Sequence, residues 1–149
     1  MKLAVGTDMN TPVAQAVVTE LKRLGHEVET FGALVNTPAP WPKVAIEVAE
    51  KVAAGECDQA VLFCWTGTGI SLAANKVRGI RCALCNDAQT AAGARQWNDA
   101  NILAMSLRST SEEVAKEILE AWFDNGPSTD AEDVACLEIL ADAEKRHMR

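Results

Sequence analysis

Residues 61 to 76 bring a thiol, hydroxyl groups and a glycine-rich turn together, and this is the part of the chain best equipped for chemistry. The segment reads Val-Leu-Phe-Cys-Trp-Thr-Gly-Thr-Gly-Ile-Ser-Leu-Ala-Ala-Asn-Lys, which is an apolar strand ending at Cys64, a turn, and the start of a helix of small residues. Open α/β sheets bind anionic ligands where the carboxyl end of a strand meets a helix N-terminus. We therefore expect a small anionic molecule to bind beside Cys64.

The position of Cys64 indicates a reactive thiol, although most intracellular cysteines are buried structural residues. A helix N-terminus favours the thiolate form, which is a base. The backbone amides of residues 65–70 are placed to stabilise an oxyanion that develops on a substrate. A base and an oxyanion hole are the minimum needed to remove a proton α to a carbonyl group. A tight strand-to-helix turn without function remains the simpler interpretation of the glycines alone.

The turn matches neither common nucleotide-binding motif. No Gly-Lys-Ser/Thr sequence follows it at the Walker spacing. Gly67 and Gly69 fit the first two glycines of the dinucleotide fingerprint, but Leu72 occupies the third position. A nucleotide-binding module is therefore the least favoured function.

Other polar side chains are candidates to join Cys64 at the same edge of the sheet. Asp8 ends the first predicted strand, Asn98 precedes the fifth, and Arg108 follows the fifth. We expect Asn98 to hydrogen-bond a hydroxylated ligand and Arg108 to bind a phosphate or carboxylate. Each also has an ordinary interpretation, as a turn residue, a helix end or a surface arginine. Trp65 is unusual in a polar loop, and it is expected to line a pocket, stack on a sugar or fill a subunit interface.

The composition favours a single domain over residues 1–149 and restricts the partners. The formal net charge of −7 argues against nucleic acid, which requires a basic surface. No apolar run reaches membrane-spanning length and the first residues do not form a signal peptide, so we expect a soluble, cytoplasmic protein. Five cysteines do not suggest a disulfide framework. Cys82 and Cys85 lie on a predicted strand with side chains on opposite faces, which argues against a shared metal.

Strands alternate with helices along the chain, a pattern typical of a parallel sheet covered on both faces. The first helix starts at Thr11-Pro12 and stops at Gly25, and a proline-rich loop covers residues 36–42. Ser109 and Glu112 are predicted to form a capping box for the helix after the fifth strand. A last acidic helix over residues 130–147 is expected to pack on a partner subunit.

The sequence resembles ribose-5-phosphate isomerase type B and the related galactose-6-phosphate isomerases. The resemblance extends from the first strand through Trp122, and its most specific blocks are residues 64–71, 73–77, 79–81 and 98–103, with Arg108. It implies a Rossmann-like three-layer αβα sandwich with a five-stranded parallel sheet in the order 2-1-3-4-5 and an extra C-terminal helix. It also implies homodimers or homotetramers with sites at subunit interfaces, and aldose–ketose isomerisation of sugar phosphates through a cis-enediolate, without metal or other cofactor.

The resemblance also implies roles for individual residues. Cys64 matches the base that moves the proton between two carbons, and Asp8 matches an aspartate that assists ring opening or binds a hydroxyl. Thr66 and the amides of the following residues match the oxyanion hole, with Asn98 beside it. The remaining positions expected to contact substrate are Met9, Trp65, Gly67, Thr68, Gly69, Ile70, Trp97 and Arg108.

The chain departs from the family pattern at residues that matter for ring opening and phosphate binding. Met9 and Trp97 stand where the family has histidines, the second of which opens the sugar ring. Beyond Trp122, where the family has two phosphate-binding arginines, this chain has Asp130, Glu132 and Asp133. These departures favour an open-chain substrate such as a tetrose or triose phosphate. Two other hypotheses remain, a non-catalytic sugar-phosphate sensor or scaffold, and a lyase or epimerase that uses the same enediolate.

Overall fold

Five parallel strands form one sheet in this computed structural model, which describes residues 1–148. The strands are β1 (Lys2–Thr7), β2 (Glu27–Gly32), β3 (Gln59–Cys64), β4 (Cys82–Leu84) and β5 (Ile102–Ser106). The helices are α1 (Pro12–Arg23), α2 (Trp41–Ala53), α3 (Thr68–Ala74), α4 (Ala88–Asn98), α5 (Glu112–Phe123) and α6 (Ala131–His147), with a short 3-10 turn at Ala33–Val35. The predicted αβα sandwich with an additional C-terminal helix is confirmed.

The order of the strands across the sheet is β2-β1-β3-β5-β4, so the last two strands exchange the places expected from the sequence. β5 pairs with β3 on one side and with β4 on the other. All five residues of β5 are buried, as a central strand requires, whereas β4 has three residues of which two are half-buried. A short strand is better suited to the edge, because an edge strand leaves one side of its backbone unpaired.

The sheet separates two apolar layers, since successive residues of a strand face opposite sides. Side chains of β1, β3 and β5 such as Val5 and Phe63 pack with α1, α4 and α5, while Ala4 and Leu62 pack with α2 and α3. Cys85 belongs to the first layer and Cys82 to the second, which confirms that the two thiols face opposite sides. Burial raises the pKa of each to about 12.

The helix ends follow local chemistry, with two differences from the predicted pattern. Thr11 caps α1 ahead of Pro12, as expected. The N-cap of α5 is Ser111, whose hydroxyl accepts from the amide of Val114 at 3.1 Å, rather than Ser109. The amide of Ser109 instead donates to the buried hydroxyl of Ser106 at 3.2 Å. α2 begins at Trp41, inside the segment predicted as a loop, because proline at the second helical position is compatible with a helix start.

α6 lies along α4 near the β4 edge of the sheet and has no buried residue. The carboxylate of Glu144 accepts from the amide of Gly79 at 3.1 Å and ties the end of the helix to the turn before β4. Val134, Ile139 and Leu140 are exposed on this helix. Within the described residues, no helix combines the length and apolar character needed to cross a membrane.

Candidate active site

Asp8, Cys64 and Ser106 lie side by side at the carboxyl edge of the sheet. Thr7 pairs with Phe63, so Asp8 and Cys64 are the next residues on neighbouring strands, and Cys64 pairs with Ser106. The chain leaves β1 toward β2 and leaves β3 toward the other side of the sheet, so the strand order reverses between β1 and β3. Such a switch point opens a crevice at the carboxyl ends of the strands, which is the usual ligand site of open α/β sheets.

The strand β3 delivers Cys64 to this crevice as its last residue, 5% exposed. The carbonyl of Cys64 accepts from the amide of Leu107 at 3.0 Å, which continues the β3–β5 pairing one residue past the strand. This pairing fixes the backbone beside the thiol. Within residues 1–148, no group of three or more histidine, cysteine or acidic side chains is arranged to hold a metal ion.

Residues 65–69, here called the glycine loop, connect β3 to α3. Gly67 has φ +80°, and a Cβ at this position would lie 2.5 Å from Leu84 Cδ1 and 3.1 Å from the carbonyl oxygen of Met105. Glycine is therefore required both by the backbone angle and by the space. The hydroxyl oxygens of Thr66 and Thr68 are 2.8 Å apart. Among the described residues, no backbone carbonyl accepts from the amides of Thr66 and Gly67, which leaves both free to bind an oxyanion.

Trp41 also belongs to this region, although the sequence analysis assigned it no role. A Cβ on Gly69 would lie 3.2 to 3.3 Å from atoms of the Trp41 indole ring, so the ring packs directly on the start of α3. The indole is still 41% exposed. An aromatic residue between two prolines, Pro40 and Pro42, was the available signal, since such a residue is held rigidly at the start of a helix.

Asp8, directly after β1, has an unsatisfied side-chain oxygen. Its Oδ1 is buried and has no hydrogen-bond partner among the described residues. Burial raises the pKa of this carboxyl above its ordinary value, against a smaller opposing effect of a backbone hydrogen bond. The turn that carries it is fixed by the Thr7 hydroxyl, which donates to the carbonyl of Met9 at 2.8 Å and accepts from its amide at 3.1 Å. Asp8 is thus a candidate for proton exchange with a bound ligand.

Arg108 and the exposed apolar residues surround this crevice. The amide of Arg108 donates to the carbonyl of Trp65 at 3.0 Å, so the turn after β5 lies against the glycine loop, and the Arg108 side chain is exposed. Met9 and Trp65 are 44% and 55% exposed beside Asp8 and Cys64. Ile70 is fully buried under the loop and supports it rather than facing a ligand with its side chain.

Asn98 and Trp97 lie at the opposite edge of the sheet, and the expectation that they share the edge of Cys64 within one chain is wrong. They end α4 and precede β5, and a residue that precedes a parallel strand lies at its amino end. The backbone of Asn101 bonds to Ala60 at the start of β3. The five residues of β5 separate the two edges by about 13 Å at 3.3 Å per residue.

Comparison with known proteins places the chain among sugar isomerases. The ribose/galactose isomerase family model matches residues 3–135. The chain belongs to this family. The ribose-5-P isomerase B of Listeria innocua is 36% identical over 126 residues, covering 84% of this chain and 85% of the relative. The D-erythrulose-4-phosphate isomerase of Pectobacterium atrosepticum is 34% identical over 126 residues, covering 83% of each. The structure of Clostridium thermocellum ribose-5-phosphate isomerase B has a TM-score of 0.91 at 34% identity over 99% of both chains.

The chain is accordingly an enzyme of the sugar-phosphate isomerase class, an intramolecular oxidoreductase. This ribose/galactose isomerase family member has two histidines in its sequence, His26 and His147. His26 precedes β2 and His147 ends α6, and both positions are at the amino edge. No histidine therefore lies beside Cys64 within one chain.

This family member also has a groove of about 680 Å³ along the β4 side of its sheet. It lies between β4, α4 and α6, and it is lined by Asn98 together with apolar side chains such as Ile80, Leu84 and Leu140. Trp97, beside the groove, is 57% exposed and packs back on Gly93, where a Cβ would lie 2.7 Å from the indole. Each chain therefore carries two apolar surfaces, one at the Cys64 edge and one along β4.

Proposed function

We propose that this chain interconverts an aldose and a ketose that carry a terminal phosphate on an open chain of four carbons. The observation that carries the proposal is the placement of Cys64 beside Asp8 and the glycine loop at the switch point of the sheet. The relative named D-erythrulose-4-phosphate isomerase supports a four-carbon substrate. The ribose-5-P isomerase B of Listeria innocua supports the reaction class but not the carbon number.

Proton transfer in this proposal passes through Cys64. The thiolate removes the proton from C2 of the aldose, the C–H electron pair forms the C1=C2 bond, and the carbonyl oxygen O1 becomes an oxyanion. The free amides of Thr66 and Gly67 hold this oxyanion, with the hydroxyl of Thr66 beside them. Return of the same proton to C1, with loss of the O2 proton and gain of a proton at O1, gives the ketose.

Asp8 is suited to move the proton between the two oxygens. The buried Oδ1 has no partner among the described residues, and a hydrogen bond from a ligand hydroxyl would satisfy it. The raised pKa of the carboxyl brings proton binding closer to neutral pH than an exposed aspartate allows. In this role Asp8 moves only the proton between the oxygens. It does not act on carbon, as Cys64 does, and it does not open a ring.

No histidine lies beside Cys64 within one chain, and the residue next to Asn98 is Trp97 rather than a histidine, which agrees with an open-chain substrate. A pentose or hexose phosphate exists mainly as a ring, and its isomerisation begins with acid–base opening of that ring. A four-carbon sugar whose terminal oxygen is esterified to phosphate cannot close a furanose ring, so this step is unnecessary. Arg108 provides a cation at the same edge for the terminal phosphate.

We further propose that each complete site is built from two chains in a homodimer, or in a tetramer of two such dimers. Asn98 is about 13 Å along the sheet from the level of Cys64, which is too far for both to contact one small substrate. A second copy brings its Asn98 and Trp97 to the first chain's Cys64. The exposed apolar side chains at the Cys64 edge, Met9, Trp41, Trp65 and Leu72, support burial of this surface in an interface.

The five cysteines of the chain are all free, and a reducing compartment keeps thiols in that state. We propose the cytoplasm as the site of action on this basis.

Proton NMR in D₂O tests the proposed reaction. Wild type, Cys64→Ala and Cys57→Ala are incubated with D-erythrose 4-phosphate, D-erythrulose 4-phosphate and ribose 5-phosphate. Cys57 is a matched control, since it is a buried thiol that precedes β3 at the other edge. We expect interconversion of the four-carbon pair and deuterium at C1 or C2 with wild type and Cys57→Ala, and neither with Cys64→Ala.

Three results would contradict parts of the proposal. A preference for ribose 5-phosphate over the tetrose phosphates would refute the open-chain substrate while leaving the isomerase intact. Ligand-induced thermal shifts without deuterium exchange for any substrate would refute catalysis and support a non-catalytic sugar-phosphate sensor. Loss of a substituent or inversion at one carbon would indicate a lyase or an epimerase that shares the enediolate.

A further inference from the structure

The buried polar side chains of the described residues are confined to the Cys64 edge of the sheet. They are Thr7, Ser106 and Thr110, which are 0%, 2% and 7% exposed. Burying a hydroxyl costs free energy unless it is hydrogen-bonded. A buried hydroxyl without a specific partner would therefore destabilise an otherwise apolar sheet. Ser106 is the last residue of β5 and pairs with Cys64. Its hydroxyl therefore sits one strand away from the reactive thiol.

The Ser106 hydroxyl uses both its donor and its acceptor to connect two turns. It donates to the carbonyl of Trp65 at 2.9 Å and accepts from the amide of Ser109 at 3.2 Å. The same Trp65 carbonyl accepts from the amide of Arg108 at 3.0 Å. The first peptide of the glycine loop is thus held at its oxygen by two donors from the segment that ends β5.

This arrangement determines the direction of the Thr66 amide. The carbonyl of Trp65 and the N–H of Thr66 belong to one planar trans peptide, in which the two groups point in opposite directions. Anchoring the oxygen toward β5 therefore turns the N–H away from β5. The Thr66 amide donates to no backbone carbonyl of the described residues. Its orientation is decided by a residue that does not touch the substrate itself.

We propose that Ser106 is a positioning residue for the oxyanion hole and for Arg108. This inference rests on the proposed function, in which the Thr66 amide binds the enediolate and Arg108 binds the terminal phosphate. Ser106 acts on the first through the Trp65 carbonyl and on the second through the amide of Ser109, the neighbour of Arg108. It links the group that stabilises the intermediate to the group that binds the distal end of the substrate.

Ser106→Ala tests the proposal because it removes only the hydroxyl oxygen. Preorganised donors contribute to the transition state more than to substrate binding, so we expect kcat to fall about 10-fold to 100-fold, while displacement of Arg108 raises KM by a smaller factor. A four-carbon hydroxamate with a terminal phosphate mimics the enediolate, and its Ki is expected to rise by the same factor as kcat/KM falls. Thr110→Val is the matched control, since it removes a buried hydroxyl from the same turn. The Thr110 hydroxyl, unlike that of Ser106, has no hydrogen-bond partner among residues 65–70.

Amide hydrogen exchange provides a readout that does not depend on turnover. In Ser106→Ala the amides of Thr66 and Arg108 should exchange faster or shift in the ¹⁵N spectrum, and in Thr110→Val the Thr66 amide should stay unchanged. Unchanged Thr66 and Arg108 amides in Ser106→Ala would overturn the inference, as would a lower Tm with wild-type kcat and Ki. If wild type turns over no sugar phosphate, the proposed function fails, and the amide spectra still decide whether Ser106 sets the loop.

Discussion

A cis–trans complementation experiment tests whether Cys64 and Asn98 of different chains form one site. The trans heterodimer pairs a Cys64→Ala chain with an Asn98→Ala chain. The cis heterodimer pairs a wild-type chain with a chain that carries both substitutions. Two different affinity tags allow each heterodimer to be co-expressed and purified free of its homodimers.

The expected magnitudes follow from the separation of the two residues in the sheet. Because β5 spans about 13 Å between the two edges, one chain cannot present both side chains to one substrate. In a two-fold symmetric dimer each site then takes Cys64 from one chain and Asn98 from the other. The trans heterodimer retains one wild-type site of two and should show about half of the wild-type activity per dimer. Each site of the cis heterodimer lacks one of the residues, so its activity should fall to the level of the homodimeric variants.

The assay is the kcat for interconversion of the four-carbon sugar phosphates, with native mass spectrometry to verify that heterodimers have formed. Sites confined to single chains would give the opposite pattern, with about half activity in the cis heterodimer and almost none in the trans heterodimer. That pattern would refute the argument from the two edges. Wild-type activity of the Asn98→Ala homodimer would remove Asn98 from the site altogether.

Three further predictions concern stability and thiol chemistry. In urea denaturation, Gly67→Ala should lower the free energy of unfolding by more than Gly25→Ala does. Both glycines have positive φ, which costs a residue with a side chain about 1–2 kcal/mol, but only Gly67 lacks space for a Cβ. Equal losses would contradict the steric overlap at Gly67. Asp8→Asn should raise the Tm at pH 7 while abolishing activity. The raised pKa means that the folded state prefers the protonated carboxyl, so Asp8 favours folding below its unfolded pKa and this contribution is lost as the pH rises through the folded pKa. The gain from Asn should therefore disappear in melts at acidic pH, and a gain independent of pH would contradict this sign. Cys82 and Cys85 should resist alkylation at pH 8 in the native protein and react only on unfolding, as peptide mass spectrometry can show, since burial raises their pKa to about 12.

The elements were predictable where local chemistry decides them. Thr11 and Pro12 start α1, and the apolar run forms β3, which ends at Cys64 as predicted. The opposite faces of Cys82 and Cys85 follow from strand geometry alone. Ser109 was mistaken for the cap of α5 because Ser109 and Ser111 are equally good capping residues in isolation. The hydroxyl of Ser106 binds the amide of Ser109, and this contact leaves Ser111 to start the helix.

The sequence by itself determined the chemistry available to this protein, because the necessary features are adjacent in the chain. They are a thiol at a strand end, a glycine that tolerates positive φ and a following helix. The family resemblance, confirmed by the comparisons, came from the same contiguous blocks. Only the tertiary structure decided which residues meet. The order of β4 and β5 depends on how each strand pairs and is buried, which local patterns do not encode. Local patterns also do not encode the distance between Asn98 and Cys64, because it depends on the direction in which β5 crosses the sheet. Nor do they encode the contacts of Trp41 and Ser106, whose partners are distant in sequence.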